Sequence, residues 1–366
     1  MRIGMLGLKA VPGAGGIEQY VEQVGTRLAD RGHEVSVYCR RQYLNGDRGD
    51  RYRGMNRIVT PGVRGKYLDA ITHTMTAAVD SFRRKFDIIH LHGSAQSIVA
   101  PLLRLRNTQR VVATIHALDW QGAKWGSLAT LCMRGAARVP VLFAHRLTTV
   151  SEHLCQSYRN MFRVEPTYVP TGVEMKPLLP PDRIRRFGLE GNDYILCVAR
   201  LVPEKGCHLL LEAFEDLNTD KKLVFAGGSN YRDPYAARLQ NGADDRVVFT
   251  GYVGGALLQE LYSNAYVYVQ PSLLEGLCIS VLEALSYGRC VLASDVPGNA
   301  EALDGQGHTF AAGDAKQLRR KLSQLLDQPD LVAKQFEPAR EYISARRSWD
   351  NTTLAMEQVY RAVAGQ

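Results

Sequence analysis

Apolar residues in this chain fall into short runs separated by segments in which they recur every three or four positions. Residues 2–7 are such a run, and 8–16 is a loop rich in glycine and proline. Over 17–31, Ile17, Tyr20, Val21, Val24 and Leu28 share one helical face, and Gly32 closes the helix. A second apolar run spans 34–39. Strand, glycine loop, helix, strand predicts a βαβ unit on a parallel sheet. The rhythm breaks over 40–66, a polar stretch carrying Arg40, Arg41, Arg48, Arg51, Arg53, Arg57, Arg64 and Lys66, with a short strand at 57–60. It is either a solvated excursion or a surface facing an acceptor or a membrane. Strands resume at 87–91, 111–115, 147–150 and 167–169, and polar residues stand at their ends: His90 and His92, His116, Ser151. Ligands of open α/β sheets bind at such carboxyl ends.

Residues 175–182 hold three prolines and read as an interdomain linker. A second alternating series follows. Its strands lie at 194–198, 223–226, 247–249, 265–270 and 290–293; its helices include 207–217, 255–263 and one leaving from about Leu277. Helices at 315–326, 331–345 and 352–364 close the chain. The expected architecture is α/β: two doubly wound Rossmann-like domains, 1–174 and 183–347, facing a central cleft. The last segment, 348–366, is expected to pack back toward the first domain. The apolar, basic segment 124–145, in which Pro140 should break a helix, is either a core helix or one lying on a membrane surface.

Composition narrows the picture. With 366 residues, 45% hydrophobic and 22% charged, the chain reads as a soluble globular protein long enough for two cores. No apolar run reaches the roughly 18 residues of a membrane span, and the first residues read as a strand rather than a signal peptide, so a cytoplasmic location is expected. The seven cysteines form no C-x-x-C pair, as expected of free thiols in a reducing compartment. Residues 1–180 hold 25 Lys and Arg against 13 Asp and Glu (25 − 13 = +12); the remainder holds 20 against 24 (20 − 24 = −4). A basic first half suits an anionic partner such as a membrane surface or a phosphorylated acceptor. No basic stripe interleaved with stacking aromatics marks a nucleic-acid module.

Four groups of residues carry candidate chemistry. Glu275 in a turn and Glu283 in the following helix bracket a helix start, whose free N–H groups attract phosphate. Arg200 at a strand end and Lys205 in the next loop suit a diphosphate. Gly13, Gly15 and Gly16 precede a helix but lack the third glycine of a dinucleotide loop, so they allow either close approach to a phosphate or only a tight turn. His116, followed by Asp119, Trp120, Lys124 and Trp125, joins polar and aromatic groups as a carbohydrate site does. The pair His90 and His92 lacks acidic partners for a metal.

In order and spacing these segments resemble the retaining glycosyltransferases of family 4, with GT-B architecture. The resemblance spans essentially the whole chain. It includes Gly15-Gly-Ile-Glu18, Thr114-Ile-His116, Thr149-Val-Ser-Glu152, Val169-Pro-Thr-Gly-Val173, Ala199-Arg-Leu-Val-Pro-Glu-Lys-Gly206, Phe249-Thr-Gly-Tyr-Val253 and the E-x7-E from Glu275 to Glu283. The segment from His116 to Trp125 looks like a subgroup acting in bacterial surface-polysaccharide assembly. The resemblance implies that Arg200 and Lys205 bind the donor diphosphate, Glu283 the ribose and Glu275 the transferred sugar. It places His116 beside that sugar, Gly251, Tyr252 and Val253 at the base, and the amides of Gly15, Gly16, Gly276, Leu277 and Cys278 near phosphate or sugar. Asp119, Trp120 and Lys124 fall on the acceptor side. Two departures stand out: no aromatic separates Glu275 from Gly276, and Thr171 replaces the usual asparagine before Gly172.

With Arg200 and Lys205 supplying leaving-group charge and no D-x-D motif present, metal independence is expected, with a nucleoside-diphosphate-sugar as donor and no cofactor. Closure across 175–182 would assemble the site. A sugar-nucleotide epimerase would need acidic catalytic groups and no acceptor site; a silent carbohydrate-binding scaffold would not need all four of Arg200, Lys205, Glu275 and Glu283.

Overall fold

The structure is a computed structural model and describes every residue except 14, 45–48, 64, 66–67, 106–107, 119, 121–126, 230–232 and 366. It divides into two compact units, Met1–Gly172 with Trp349–Gln366, and Val173–Ser348. Among the described residues no helix is long and apolar enough to cross a membrane.

The first unit runs β1 (Arg2–Leu6), α1 (Gly16–Asp30), β2 (Glu34–Arg40), β3 (Arg51–Tyr52), β4 (Met55–Thr60), α2 (Leu68–Ser81), β5 (Ile88–His92), α3 (Ala100–Arg104), β6 (Arg110–Ile115), α4 (Ser127–Phe143), β7 (Arg146–Thr149), α5 (Glu152–Phe162) and β8 (Thr167–Tyr168). The sheet order is β3-β4-β2-β1-β5-β6-β7-β8. All pairs are parallel except the edge pair β3–β4. Strands covered on both faces must be apolar throughout, and β5 is buried along its whole length, histidines included. The face of α1 carrying Tyr20, Val24 and Leu28 is buried, as its period predicts.

The second unit contains β9 (Tyr194–Val198), α6 (Cys207–Glu215), β10 (Lys222–Ala226), α7 (Pro234–Asn241), β11 (Val247–Gly251), α8 (Gly255–Asn264), β12 (Val267–Gln270), α9 (Ile279–Ser286), β13 (Cys290–Ser294), α10 (Pro297–Leu303), β14 (His308–Phe310), α11 (Ala315–Asp327), α12 (Pro329–Ala333) and α13 (Phe336–Arg346). Its parallel sheet is ordered β11-β10-β9-β12-β13-β14. Leu210 and Phe214 of α6 and Leu318 and Leu322 of α11 pack with Ile195, Phe225 and Leu292 of the sheet in one core; each such side chain contributes about 1.5–3 kcal/mol on burial.

The final helix, α14 (Trp349–Ala364), belongs to the first unit. Glu357 on it accepts from Arg31 at 2.6 Å and Arg361 at 2.7 Å, and lies 3.2 Å from His33; burial would raise its carboxyl, but these hydrogen bonds, Arg31 and Arg361 foremost, hold it at about 2.

Pro140 does not break its helix: α4 continues to Phe143. The proline forgoes the N–H bond to the Ala136 carbonyl one turn back, yet its own carbonyl still accepts from Ala144 N–H at 3.0 Å, and the helix ends three residues on. The proline-rich stretch 175–182 contains no helix or strand and lies inside the second unit. It is tied to α8 through Leu179 N–H to Ser263 Oγ (3.1 Å) and Asn264 Nδ2 to the Leu179 carbonyl (2.9 Å).

Candidate active site

Each sheet has one place where neighbouring strands send their connections to opposite faces: β1/β5 in the first unit and β9/β12 in the second. A crevice opens at the carboxyl ends of such strand pairs, and it is where doubly wound sheets take ligands. The expected site residues gather around these two points.

In the second unit, β9 leads into the loop bearing Arg200 and Lys205, and β12 into the turn bearing Glu275. Gly206 binds the two loops together. Its φ is +66°, and a Cβ there would lie 2.0 Å from the Pro271 carbonyl oxygen, so no other residue fits without moving the loops apart. Leu273 N–H donates to the Glu204 carbonyl at 2.9 Å. Lys205 Nζ thereby reaches Glu275 Oε1 at 2.5 Å, with the carboxylate side chain only 7% exposed. Burial alone would lower the lysine's pKa; the Glu275 carboxylate outweighs it and holds the ammonium above the usual lysine range.

Glu275 is further fixed by a chain the sequence reading did not assign. Tyr268 Oη (2.5 Å) and Ser280 Oγ (3.2 Å) donate to Gln270 Oε1, Gln270 Nε2 donates to Ser272 Oγ (2.7 Å), and Ser272 Oγ donates to Glu275 Oε1 (2.7 Å). The polar residues directly after the apolar run of β12, Gln270 and Ser272, were the available signal. Arg200 is half exposed, 4.0 Å from Glu204.

Helix α9 begins after Cys278 with no side-chain cap and no acid in its first turn. Its leading N–H groups therefore form an anion-attracting end. Gly276, Leu277 and Cys278, which lead into it, are buried, and burial pushes the Cys278 thiol up to about 12. One turn on, Glu283 Oε2 accepts from Tyr262 Oη at 3.0 Å, and Tyr262 stacks on Tyr287 with ring centroids 5.3 Å apart. Gly251 and Tyr252 are exposed at the end of β11 and Val253 is half-buried. The Tyr252 ring lies across Gly228, where a Cβ would meet Tyr252 Cε2 at 2.9 Å.

In the first unit, the glycine loop is filled from within. Glu18 of α1 folds back: its Oε1 accepts from Lys9 N–H at 2.8 Å, and its Oε2 lies 2.0 Å from where a Gly15 Cβ would stand. The chain's own carboxylate thus fills the space beside Gly15, which the sequence reading did not assign; Gly15 itself has an extended backbone (φ −91°), and Gly16 starts α1. His116 follows β6, half-buried, with Nε2 3.2 Å from His92 Nδ1 and its ring edge-on to Tyr20 at 5.1 Å. Burial holds the His116 and His90 rings neutral, with pKa near 3, and His92 well below its usual value. Trp120 is 5% exposed and packs against Tyr158. Asp119 and Lys124 lie outside the described residues. Among the described residues no three His, Cys, Asp or Glu side chains are grouped as metal ligands.

Known proteins align with this arrangement throughout. The family model "Glycosyltransferase Family 4" matches residues 14–176, and "Glycosyl transferases group 1" matches 182–342. The chain is 25% identical to a GDP-mannose-dependent alpha-(1-6)-phosphatidylinositol monomannoside mannosyltransferase of Mycobacterium tuberculosis, covering 96% of this chain and 95% of that protein. It is 29% identical to a D-inositol 3-phosphate glycosyltransferase of Acidothermus cellulolyticus, over 96% and 87%. Among solved structures, sucrose-phosphate synthase from Thermosynechococcus elongatus superposes with a TM-score of 0.86 at 22% identity, over 100% and 99% of the two chains.

Proposed function

Because the chain belongs to the glycosyltransferases, of family 4 over its first half and group 1 over its second, we propose that it is a retaining, metal-independent enzyme. It moves a sugar from a nucleoside-diphosphate-sugar to a carbohydrate or lipid-linked acceptor, in assembly of a cell-surface polysaccharide or glycolipid. The observation that carries this reading is the Lys205–Glu275 pair at a β9/β12 crevice, beside the uncapped start of α9.

Phosphate binds at the start of α9, with Lys205 and Arg200 as its fixed cations. Glu283, braced by Tyr262, takes the ribose hydroxyls, and Glu275 orients the sugar. Gly251, Tyr252 and Val253 adjoin the base, and the amides of Gly276, Leu277 and Cys278 line the phosphate and sugar. In the first unit, Gly15, Gly16 and His116 are the groups offered to the donor and Asp119 and Lys124 those offered to the acceptor, whereas Trp120, packed against Tyr158, is too buried to meet a ligand as it stands. The C1–O bond to the diphosphate breaks as the acceptor oxygen bonds C1 on the same face. The acceptor proton passes to the departing phosphate oxygen. Positive charge fixed where the leaving group develops its own lowers this barrier. Glu275, with its Oε1 accepting from Lys205 and Ser272, is read as the group that orients the sugar and not as a covalent nucleophile.

The acceptor-bearing partner is an anionic membrane surface. Leu131, Arg134, Arg138 and Leu142 follow one another at three- and four-residue spacing along α4, and all are exposed, the two leucines at 67% and 68%. Apolar and cationic groups on one helix face suit interfacial binding.

The test uses Lys205→Gln, which removes the charge but keeps a donor for Glu275. Turnover should fall roughly 10²–10³-fold, the cost of losing one oxyanion-type contact, with the chain still folded at the assay temperature despite some loss of stability from the unpaired Glu275 charge. Chelator should leave the wild-type rate intact, and NMR should show the donor's anomeric configuration kept. If no donor releases nucleoside diphosphate with any acceptor, the chain is a binding scaffold instead.

A further inference from the structure

Three histidines, His90 and His92 on β5 and His116 after β6, lie together inside the first unit; the His90 and His92 ring centroids are 4.0 Å apart, and those of His92 and His116 5.4 Å. His90 is tied at both nitrogens by a chain with one direction. Thr148 Oγ1 donates to the Ala113 carbonyl (3.4 Å), which only accepts. Thr114 Oγ1 therefore donates to Thr148 Oγ1 (2.6 Å), His90 Nε2–H to Thr114 Oγ1 (2.6 Å), and Tyr360 Oη to His90 Nδ1 (2.6 Å). The reverse order would leave the Tyr360 hydroxyl hydrogen without an acceptor among the described residues.

His92 is tied at one nitrogen only. It is fully buried, its Nδ1 faces His116 Nε2 at 3.2 Å, and its Nε2 has no partner among the described residues. One proton lies between the two facing nitrogens. Were it carried by His116, His92 would hold its own proton on Nε2, as a buried N–H with nothing to receive it. Were it carried by His92, only a lone pair would be left over. Orphaned buried N–H groups are the rarer outcome, and a stranded donor forfeits its full solvation.

We propose that His92 is a positioning residue: its Nδ1–H donates to His116 Nε2 and fixes His116 as the Nδ1–H tautomer, so that His116 meets the transferred sugar as a hydrogen-bond donor. Tyr20 stands edge-on to both rings, at 5.8 Å from His92 and 5.1 Å from His116, and restricts their rotation. The tautomer rests on the geometry of the first unit alone. Its consequence for catalysis rests on the proposed placement of His116 at the sugar.

Long-range proton–nitrogen correlation spectra of the ligand-free, full-length chain labelled with ¹⁵N-histidine read the tautomer without reference to activity. His116 should carry its proton on Nδ1 in the wild type. In His92→Asp, whose carboxylate accepts where Nδ1–H donated, His116 should carry its proton on Nε2; in His92→Asn, whose amide N–H stands near the lost Nδ1, it should not. Turnover of His92→Asp should fall at least tenfold with donor KM within twofold, and His92→Asn should recover most of it. Should His92→Asp fail to fold, the wild-type spectrum still decides. A wild-type His116 protonated on Nε2 overturns the proposal. A tautomer that shifts in His92→Asp while turnover stays unchanged instead refutes the placement of His116 at the sugar.

Discussion

At the scale of single residues, Gly206 decides whether Lys205 reaches Glu275. Two penalties meet there, a left-handed backbone and a Cβ driven into the Pro271 carbonyl. Gly255 carries the first without the second: its φ is +58°, and nothing lies within 4 Å of a Cβ there. Gly255→Ala should therefore cost only about 1–2 kcal/mol, the price of the backbone. Gly206→Ala should cost more in urea denaturation and should also lower turnover, because the loops separate. Equal stability losses in the two variants, with turnover intact, would show that the loops do not depend on this contact. Neither Pro271 as the partner of Gly206 nor Glu18 as the occupant of the glycine loop was legible in the sequence. Both follow from backbone paths, and the residue letters showed only that glycine was there.

At the scale of elements, most of the pattern was legible. Doubly covered parallel strands must be apolar throughout, so β1, β2, β5 and β9 announced themselves, and α1 showed its buried face through its period. Errors came where local rules met context. Pro140 reads as a breaker, yet it costs α4 one backbone bond and the helix runs three residues further. The two-residue edge strand β3 is too short to carry a pattern. For α4, periodicity left open a core helix or a surface one; the exposure of Leu131 and Leu142 favours contact beyond the chain. The wild type should co-sediment with vesicles containing anionic lipid and not with zwitterionic ones. Leu131→Glu with Leu142→Glu should weaken that binding at least tenfold. Equal binding by the double variant would remove α4 from the interface.

At the scale of the whole molecule, acid should weaken the fold, the first unit carrying the larger share although burial also lowers His208 and His308 in the second. His73, His90, His92 and His116 are all in the first unit, and burial keeps each neutral: pKa about 4 for His73 and about 3 for His90 and His116. Their folded values lie below the unfolded one near 6.5, so the unfolded chain gains protons first as pH falls. Stability is complete above 6.5 and drains away between 6.5 and roughly 3, by about 1.4 kcal/mol per histidine at pH 5.5. Glu357, held at about 2, adds a loss below 4.5 in the same direction. Denaturation monitored through first-unit probes should show this decline from pH 7.5 to 5.5, whereas a flat profile would mean that the histidines are not buried as described. The chain through Tyr360, His90 and Thr114 was not legible, because His90 and Tyr360 lie 270 residues apart in sequence.

That separation also sets an order of events during synthesis. The first unit begins at residue 1 and is completed only by α14. When residue 172 leaves the ribosome, His90 still lacks the Tyr360 hydroxyl, and Arg31 and His33 still lack Glu357. At 5–20 residues per second, the missing helix arrives roughly 10–40 s later. The second unit, contiguous in sequence, is translated in that interval. The earlier-made domain is thus the later one to be finished, and a nascent chain spends that time with the seat of α14 open.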